Sequence, residues 1–322
     1  MWLDNRDLRG EVMGTKLDFV SRINITEQTT YTPWKSIGYR DLTEELISQI
    51  ADDTKIKFIQ ISKPLPQQAF WAIDKILEKR DDIHFRIYGI YGDAEFDLSC
   101  LHLLKHLKHI TLDAHLDKRQ DMFNLDVLTE LENLQTLRLA LFDLRDYSFI
   151  KNLSSDIKEL CISADTMSGG VVFDCAWLTR YKKLKTLYLG KKAKKHIERI
   201  AEIGCLENLT LRGIKLKDFE FLRGSKLCSL SIHLCGMNDL TSLTNFDNLK
   251  ILELWRIMKL EDISFISTLT SLEQLNLRDL SHITTLPDLS RLKNLQQVIL
   301  DNVPIDVTML PICLQKITHK YR

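Results

Sequence analysis

At 322 residues the chain has the length of two ordinary domains, although an elongated repeat escapes that count because each unit buries only against its neighbours. Its 44 basic and 44 acidic side chains cancel, so no global field draws it towards nucleic acid or an acidic membrane, and electrostatic recognition has to be local. The seven cysteines are scattered, odd in number and without a CxxC pair, which suits reduced thiols serving as small core hydrophobes rather than a disulfide framework.

The opening stretch, MWLDNRDLRGEVMG, carries charges where a signal peptide needs an apolar run of about 7 to 15 residues, and no later run approaches roughly 18 uncharged apolar residues. The expectation is a soluble protein of the cytoplasm with no membrane partner. Residues 1–55 show no leucine rhythm and read as an N-terminal cap, with a possible strand in LDFVSRINI, a loop TTYTPWKSIG, and a helix from about Leu42 to Ala51. Asp41 and Glu44 stand at capping-box spacing at the start of that helix. Residues 66–80 read as a second amphipathic helix, with Pro66 in its first turn and Ala69, Ile73, Ile76 and Leu77 on one side.

From residue 56 to 317 a unit LxxLxL returns. Its first positions are Leu107, Leu134, Ile157, Leu184, Leu206, Leu227, Leu249, Leu272 and Leu295, each followed by apolar residues at the fourth and sixth places. The steps are 27, 23, 27, 22, 21, 22, 23 and 23 residues, too regular for chance. Ile56, Ile59 and Ile61 make an earlier rung, and IHFRIYG at 83–89 makes one whose register the sequence does not fix. Leu314 and Ile317 read as the start of a last unit, with 318–322 as a polar tail.

In an extended segment the fourth and sixth residues point to one face, while the third, fifth and seventh point to the other. Rungs stacked in parallel at about 4.8 Å close their backbone hydrogen bonds and make one long core. The return segments add apolar residues at spacing three, such as Leu286, Leu289 and Leu292, which suits short helical turns on the convex side.

These spacings resemble the leucine-rich repeat family over roughly residues 56–317, and KLEDISFISTLTSLEQLNL at 259–277 resembles the repeats of bacterial internalins. The resemblance implies an α/β fold, a right-handed solenoid of about 11 to 12 units with a parallel concave sheet and short convex helices or turns. It implies protein binding in general and no named partner. One departure stands out. The family places asparagine at the ninth place, whereas this chain has Phe142, Ile214, Cys235, Ile257, Leu280 and Val303. The turn leaving each strand should therefore differ in shape and satisfy its backbone locally.

Catalytic spacing is absent: the sequence holds no GxSxG, HExxH, phosphate loop or GxGxxG, and no cofactor is implied. His102, His106, His109 and His115 lie close in sequence, but the repeat register puts His109 on a strand and His102 and His106 on the preceding return segment, which favours solvated histidines over a metal site. The lysine-rich YKKLK at 181–185 and KKAKKH at 191–196 have only Tyr181 and Tyr188 as aromatic company, so a solvated surface is expected rather than a nucleic-acid partner.

The ladder also says which side chains stand beside one another. At the seventh place Arg212, His233, Trp255 and Arg278 form a row at about 5 Å spacing. Arg256 and Asp279 follow at the eighth place, and Tyr188, Glu253 and Asn276 occupy the fifth. Tryptophan, tyrosine and arginine dominate interface hot spots because they combine large area with directed polar contacts. The expected function is a non-enzymatic, bacterial, cytoplasmic scaffold that binds another protein through Tyr188, Arg212, His233, Glu253, Trp255, Arg256, Asn276 and Arg278. Two alternatives are an inhibitor or immunity-like protein that blocks another enzyme, and an enzyme or substrate-recognition subunit acting through residues 1–55, a segment too short for an independent catalytic domain.

Overall fold

The computed structural model describes residues 21–29, 36–89, 96–115 and 122–321. The chain divides into two compact units, Met1–Phe173 and Asp174–Arg322.

In the first unit, strands β1 (Arg22–Thr26) and β2 (Ser36–Gly38) precede helix α1 (Glu44–Asp52), and β3 (Phe58–Ile61) leads into helix α2 (Gln67–Lys79). Then come β4 (His84–Tyr88), the short β5 (Phe96–Asp97), β6 (His109–His115), the short β7 (Met122–Phe123), β8 (Thr136–Phe142) and β9 (Glu159–Ile162). The main sheet is entirely parallel, in the order β2, β1, β3, β4, β6, β8, β9, and β5 pairs with β7 apart from it. The ladder thus begins upstream of residue 56: Ile23 pairs with Ile59, and Ile23 and Ile25 are fully buried. The register of 83–89 is also fixed, with Phe58 opposite His84 and both Phe85 and Ile87 in the core.

Helix α1 starts two residues later than its sequence suggested. Its N-cap is Thr43, whose hydroxyl accepts from the Leu46 amide at 3.3 Å, while Asp41 sits in a preceding 3-10 turn and accepts a hydrogen bond from the Thr29 hydroxyl. Glu44 and Glu45 instead fill the first turn, where the helix dipole favours negative charge. Helix α2 buries Ala69, Phe70, Ile73, Ile76 and Leu77 along one stripe.

The second unit carries β10 (Thr186–Gly190), β11 (Asn208–Arg212), β12 (Ser229–His233), β13 (Ile251–Trp255), β14 (Gln274–Arg278), β15 (Gln297–Asp301), a one-turn helix α3 (Ile312–Gln315) and β16 (Thr318–Tyr321). They pair in chain order, all parallel. Each begins at the third place of its unit as far as β15, so that Leu209, Leu230, Leu252, Leu275 and Val298 form one buried row and Leu211, Ile232, Leu254, Leu277 and Leu300 another. The last rung differs. Val298 pairs with Thr318, so Thr318 rather than Ile317 takes the fourth place, and residues 318–321 are a paired strand rather than a tail. Lys320 stands at the leucine-bearing sixth place, where it is exposed and donates from Nζ to the Ile305 carbonyl at 2.6 Å.

A left-handed backbone step stands in for the missing asparagine. At the eighth place Lys191, Gly213, Leu234, Arg256, Asp279 and Asn302 adopt φ between 48° and 63°. This left-handed step aims each amide at the seventh-place carbonyl of the next rung, at 2.8 to 3.1 Å, as in Leu234 to Trp255 and Arg256 to Arg278. The backbone is therefore satisfied by the following unit and not locally, and the apolar ninth-place side chains Ile214, Cys235, Ile257, Leu280 and Val303 turn into the core. Phe142, at the same place in the first unit, is half-buried.

On the convex side an aspartate opens turn after turn. Asp146, Asp218, Asp239, Asp262, Asp288 and Asp306 each accept, through Oδ1, the amide two residues on at 2.7 to 3.1 Å. Most of the returns that follow are 3-10 turns, among them Ser264–Thr268. Between Leu286 and Leu292 no such turn forms, because Pro287 lacks an amide donor and biases Leu286 away from helical backbone. Among the described residues no helix is long and apolar enough to cross a membrane.

Candidate functional site

Strand register sets Arg212, His233, Trp255 and Arg278 side by side on β11 to β14 and continues the row to Asp301 and Tyr321. The fifth-place row beside it reads Tyr188, Thr210, Ser231, Glu253 and Asn276, all five buried. That burial separates the eight expected contact residues into two groups. Tyr188, His233, Glu253 and Asn276 lie within the face, whereas Arg212, Trp255 and Arg278 are partly open and Arg256 is exposed. The Arg256 side chain is 52% exposed against 20% for Arg278, so Arg256 is the more available cation.

Glu253 organises the buried group. Its Oε2 lies 3.2 Å from His233 Nε2 and accepts a hydrogen bond from Ser231 Oγ at 3.2 Å, and its Oε1 lies 3.4 Å from Arg278 Nε. Burial pushes this carboxyl up, but His233, Arg278 and Ser231 together outweigh burial and hold it below the ordinary glutamate value. Serine and imidazole both meet the carboxylate rather than each other, so the trio does not make the nucleophile and base contact that a hydrolytic triad requires.

Trp255 is held in place from two sides. Its Nε1 donates to Asp279 Oδ2 at 2.9 Å, and its ring packs edge-on to His233 with centroids 5.2 Å apart. Asp279 also accepts from Asn302 Nδ2 at 2.8 Å and lies 3.2 Å from an Arg256 terminal nitrogen. A cleft of about 500 Å³ adjoins this cluster, lined by Arg256, Met258, Asp279, Asn302, Lys320 and Tyr321 among others. Met258 and Tyr321 are more than half exposed there. Asp301, Tyr321, Ser231 and Met258 were missed by the sequence reading. Continuing the seventh-place row one unit finds Asp301, and reading the fifth place of every unit finds Ser231. Tyr321 needed the register of β16, and Met258 had no signal.

The other candidates disperse. His102 lies 3.4 Å from Glu130, His106 Nδ1 lies 3.0 Å from Asp74, and His109 Nδ1 lies 2.8 Å from the Thr136 hydroxyl; the His115 side chain is outside the described residues. Among the described residues no group of three or more histidine, cysteine or acidic side chains could hold a metal. The lysine run is divided by the buried Tyr181, Leu184 and Ala193, with Lys185 donating to Glu207 at 2.8 Å and Lys195 lying 3.3 Å from Asp174.

No family model matches the sequence, and no curated protein matches it. Solved structures do match in fold. An internalin (inlF) of Listeria monocytogenes aligns at TM-score 0.50 and 18% identity, covering 84% of this chain and 82% of its own. A leucine-rich repeat protein of Leptospira interrogans aligns at TM-score 0.50 and 19% identity, covering 87% and 80%. The fold is a leucine-rich repeat solenoid with internalin-like repeats.

Proposed function

We propose that this chain is a non-enzymatic scaffold that binds another protein on the sheet face of its second unit. The observation that carries the reading is Trp255, a large aromatic left partly open yet fixed by Asp279 and His233 in a row of arginines. A pre-ordered tryptophan loses little side-chain freedom on binding, which is the cost that most weakens flexible contacts. Arg256 beside it, Arg278 below it and the cleft with Met258 and Tyr321 offer cationic, stacking and apolar contacts within one patch. The partner this patch suits presents a carboxylate next to an aromatic or aliphatic side chain.

The test is affinity capture from the native host at physiological salt. Wild type should retain a protein that Trp255→Ala with Arg278→Glu releases, a loss of roughly tenfold or more in affinity for removing a central hot spot. Equal capture by both chains would remove the binding site from this face.

A further inference from the structure

The third-place row of the first unit runs through Arg22, Phe58, His84, His109, Thr136 and Glu159 on six adjacent strands. Arg22 Cζ lies 5.5 Å from the Phe58 ring centre, and Phe58 lies 5.2 Å from His84. His84 stacks on His109 at 4.8 Å with 21° between the ring planes, and His109 Nδ1 reaches the Thr136 hydroxyl at 2.8 Å. His84 Nδ1 is buried and makes no hydrogen bond among the described residues. Two imidazoles this close stack well when neutral and repel when both are charged.

The surrounding charges give a protonated ring little help. Facing the stack are Arg138 on β8, Glu159 on β9, Lys108 just before β6, and Asp81 and Asp82 just before β4. Each of these acids is already held by a cation: Glu159 by Arg138, Asp81 by Lys108 at 2.6 Å, and Asp82 by Arg80 at 2.6 Å and Lys57 at 3.0 Å. Burial, then Arg138 and His109, push the His84 imidazole well below its ordinary value, and burial lowers His109 against the partial opposition of Glu159 and Asp81.

We propose that the His84 and His109 stack is a proton-operated seam, closed between β4 and β6 while both rings are neutral and parted when acid charges them, so that the sheet face of the first unit is remodelled below neutral pH. A lowered folded value means that the opened state binds the proton more readily. The seam is therefore at full strength above the ordinary histidine value of 6.5 and weakens as pH falls below it. Between that value and its own folded one, each imidazole multiplies opening by at most about ten per pH unit.

Hydrogen exchange of the full chain, corrected for intrinsic rates and compared at about pH 7.5 and about pH 5.5, reads this directly. In wild type the β4 and β6 amides should lose at least about tenfold in protection relative to those of β13. His84→Phe with His109→Gln keeps a stacked ring and a partner for Thr136, and should make the ratio flat. His84→Phe alone should give a smaller loss than wild type. Wild-type protection that does not change with pH overturns the seam whether or not the variants fold, and a double variant that follows the wild-type profile overturns the assignment to these rings.

Discussion

A carboxylate buried on a sheet face costs free energy unless cations and donors surround it, and Glu253 has His233, Arg278 and Ser231 around it. Because the folded value lies below 4.5, the stabilisation is complete above that pH and is lost as pH falls through the lower folded value. Glu253→Gln keeps the shape and removes the charge, leaving the buried His233 and the partly open Arg278 without the carboxylate they meet. Urea titration should show it about 2 kcal/mol less stable than wild type at neutral pH, with the gap narrowing in acid as the wild-type glutamate protonates. Equal stability at neutral pH would mean that the cluster gains nothing from its charge. The same residues show what the sequence reveals of the site. Spacing alone places Arg212, His233, Trp255 and Arg278 in one row, but it treats the fifth and seventh places as equally open. Long neighbours crowd the fifth place: His233 and Arg278 close on Glu253 and the Gln274 amide reaches Asn276, and that depends on which side chains stand alongside rather than on the period.

At the scale of the repeat, the ninth place separates two ways of ending a strand. Where the family uses asparagine, this chain turns through a left-handed eighth residue whose amide reaches the next rung, and Ile257 drops into the core. The apolar ninth places already foretell a different turn; its solution is not legible, because a φ near 50° at Leu234 or Arg256 contradicts their local preference and is imposed by the neighbouring rung. The aspartates before Ser148, Thr241, Ser264, Ser290 and Thr308 were readable as a D-x-S/T pattern and mark where convex turns begin. Ile257→Asn, which restores the family residue, should destabilise the protein by about 2 to 4 kcal/mol, since it trades a buried side chain for an amide in a turn whose backbone is already bonded. Thermal and urea unfolding of the single variant measure this, and a gain in stability would show that the turn can revert to the asparagine form.

Over the whole chain, the leucine positions were enough to place β6 and the strands from β8 to β15, because each of those rungs buries its fourth and sixth places, whereas the short β7 belongs to no such unit. The first rung was legible only as a possible strand within LDFVSRINI, because Ile23 and Ile25 stand outside the leucine rhythm, and the last only as a start at Leu314 one residue out of register, because Thr318 and Lys320 put polar side chains where the rhythm demands leucine. A structure in which each rung touches only its neighbours also fixes how damage travels. Leu252 lies fully buried between Leu230 and Leu275, so Leu252→Ala should cost about 3 kcal/mol, the lost burial of its side chain plus a cavity left in the second unit. If stability is a sum of rung and nearest-neighbour terms, amide protection should fall most on β13, less on β12 and β14, and least on β11 and β15. Hydrogen exchange resolved by strand would show that gradient, whereas an equal fall from β10 to β15 would mean that the second unit opens as one block and that its rungs have no stability of their own.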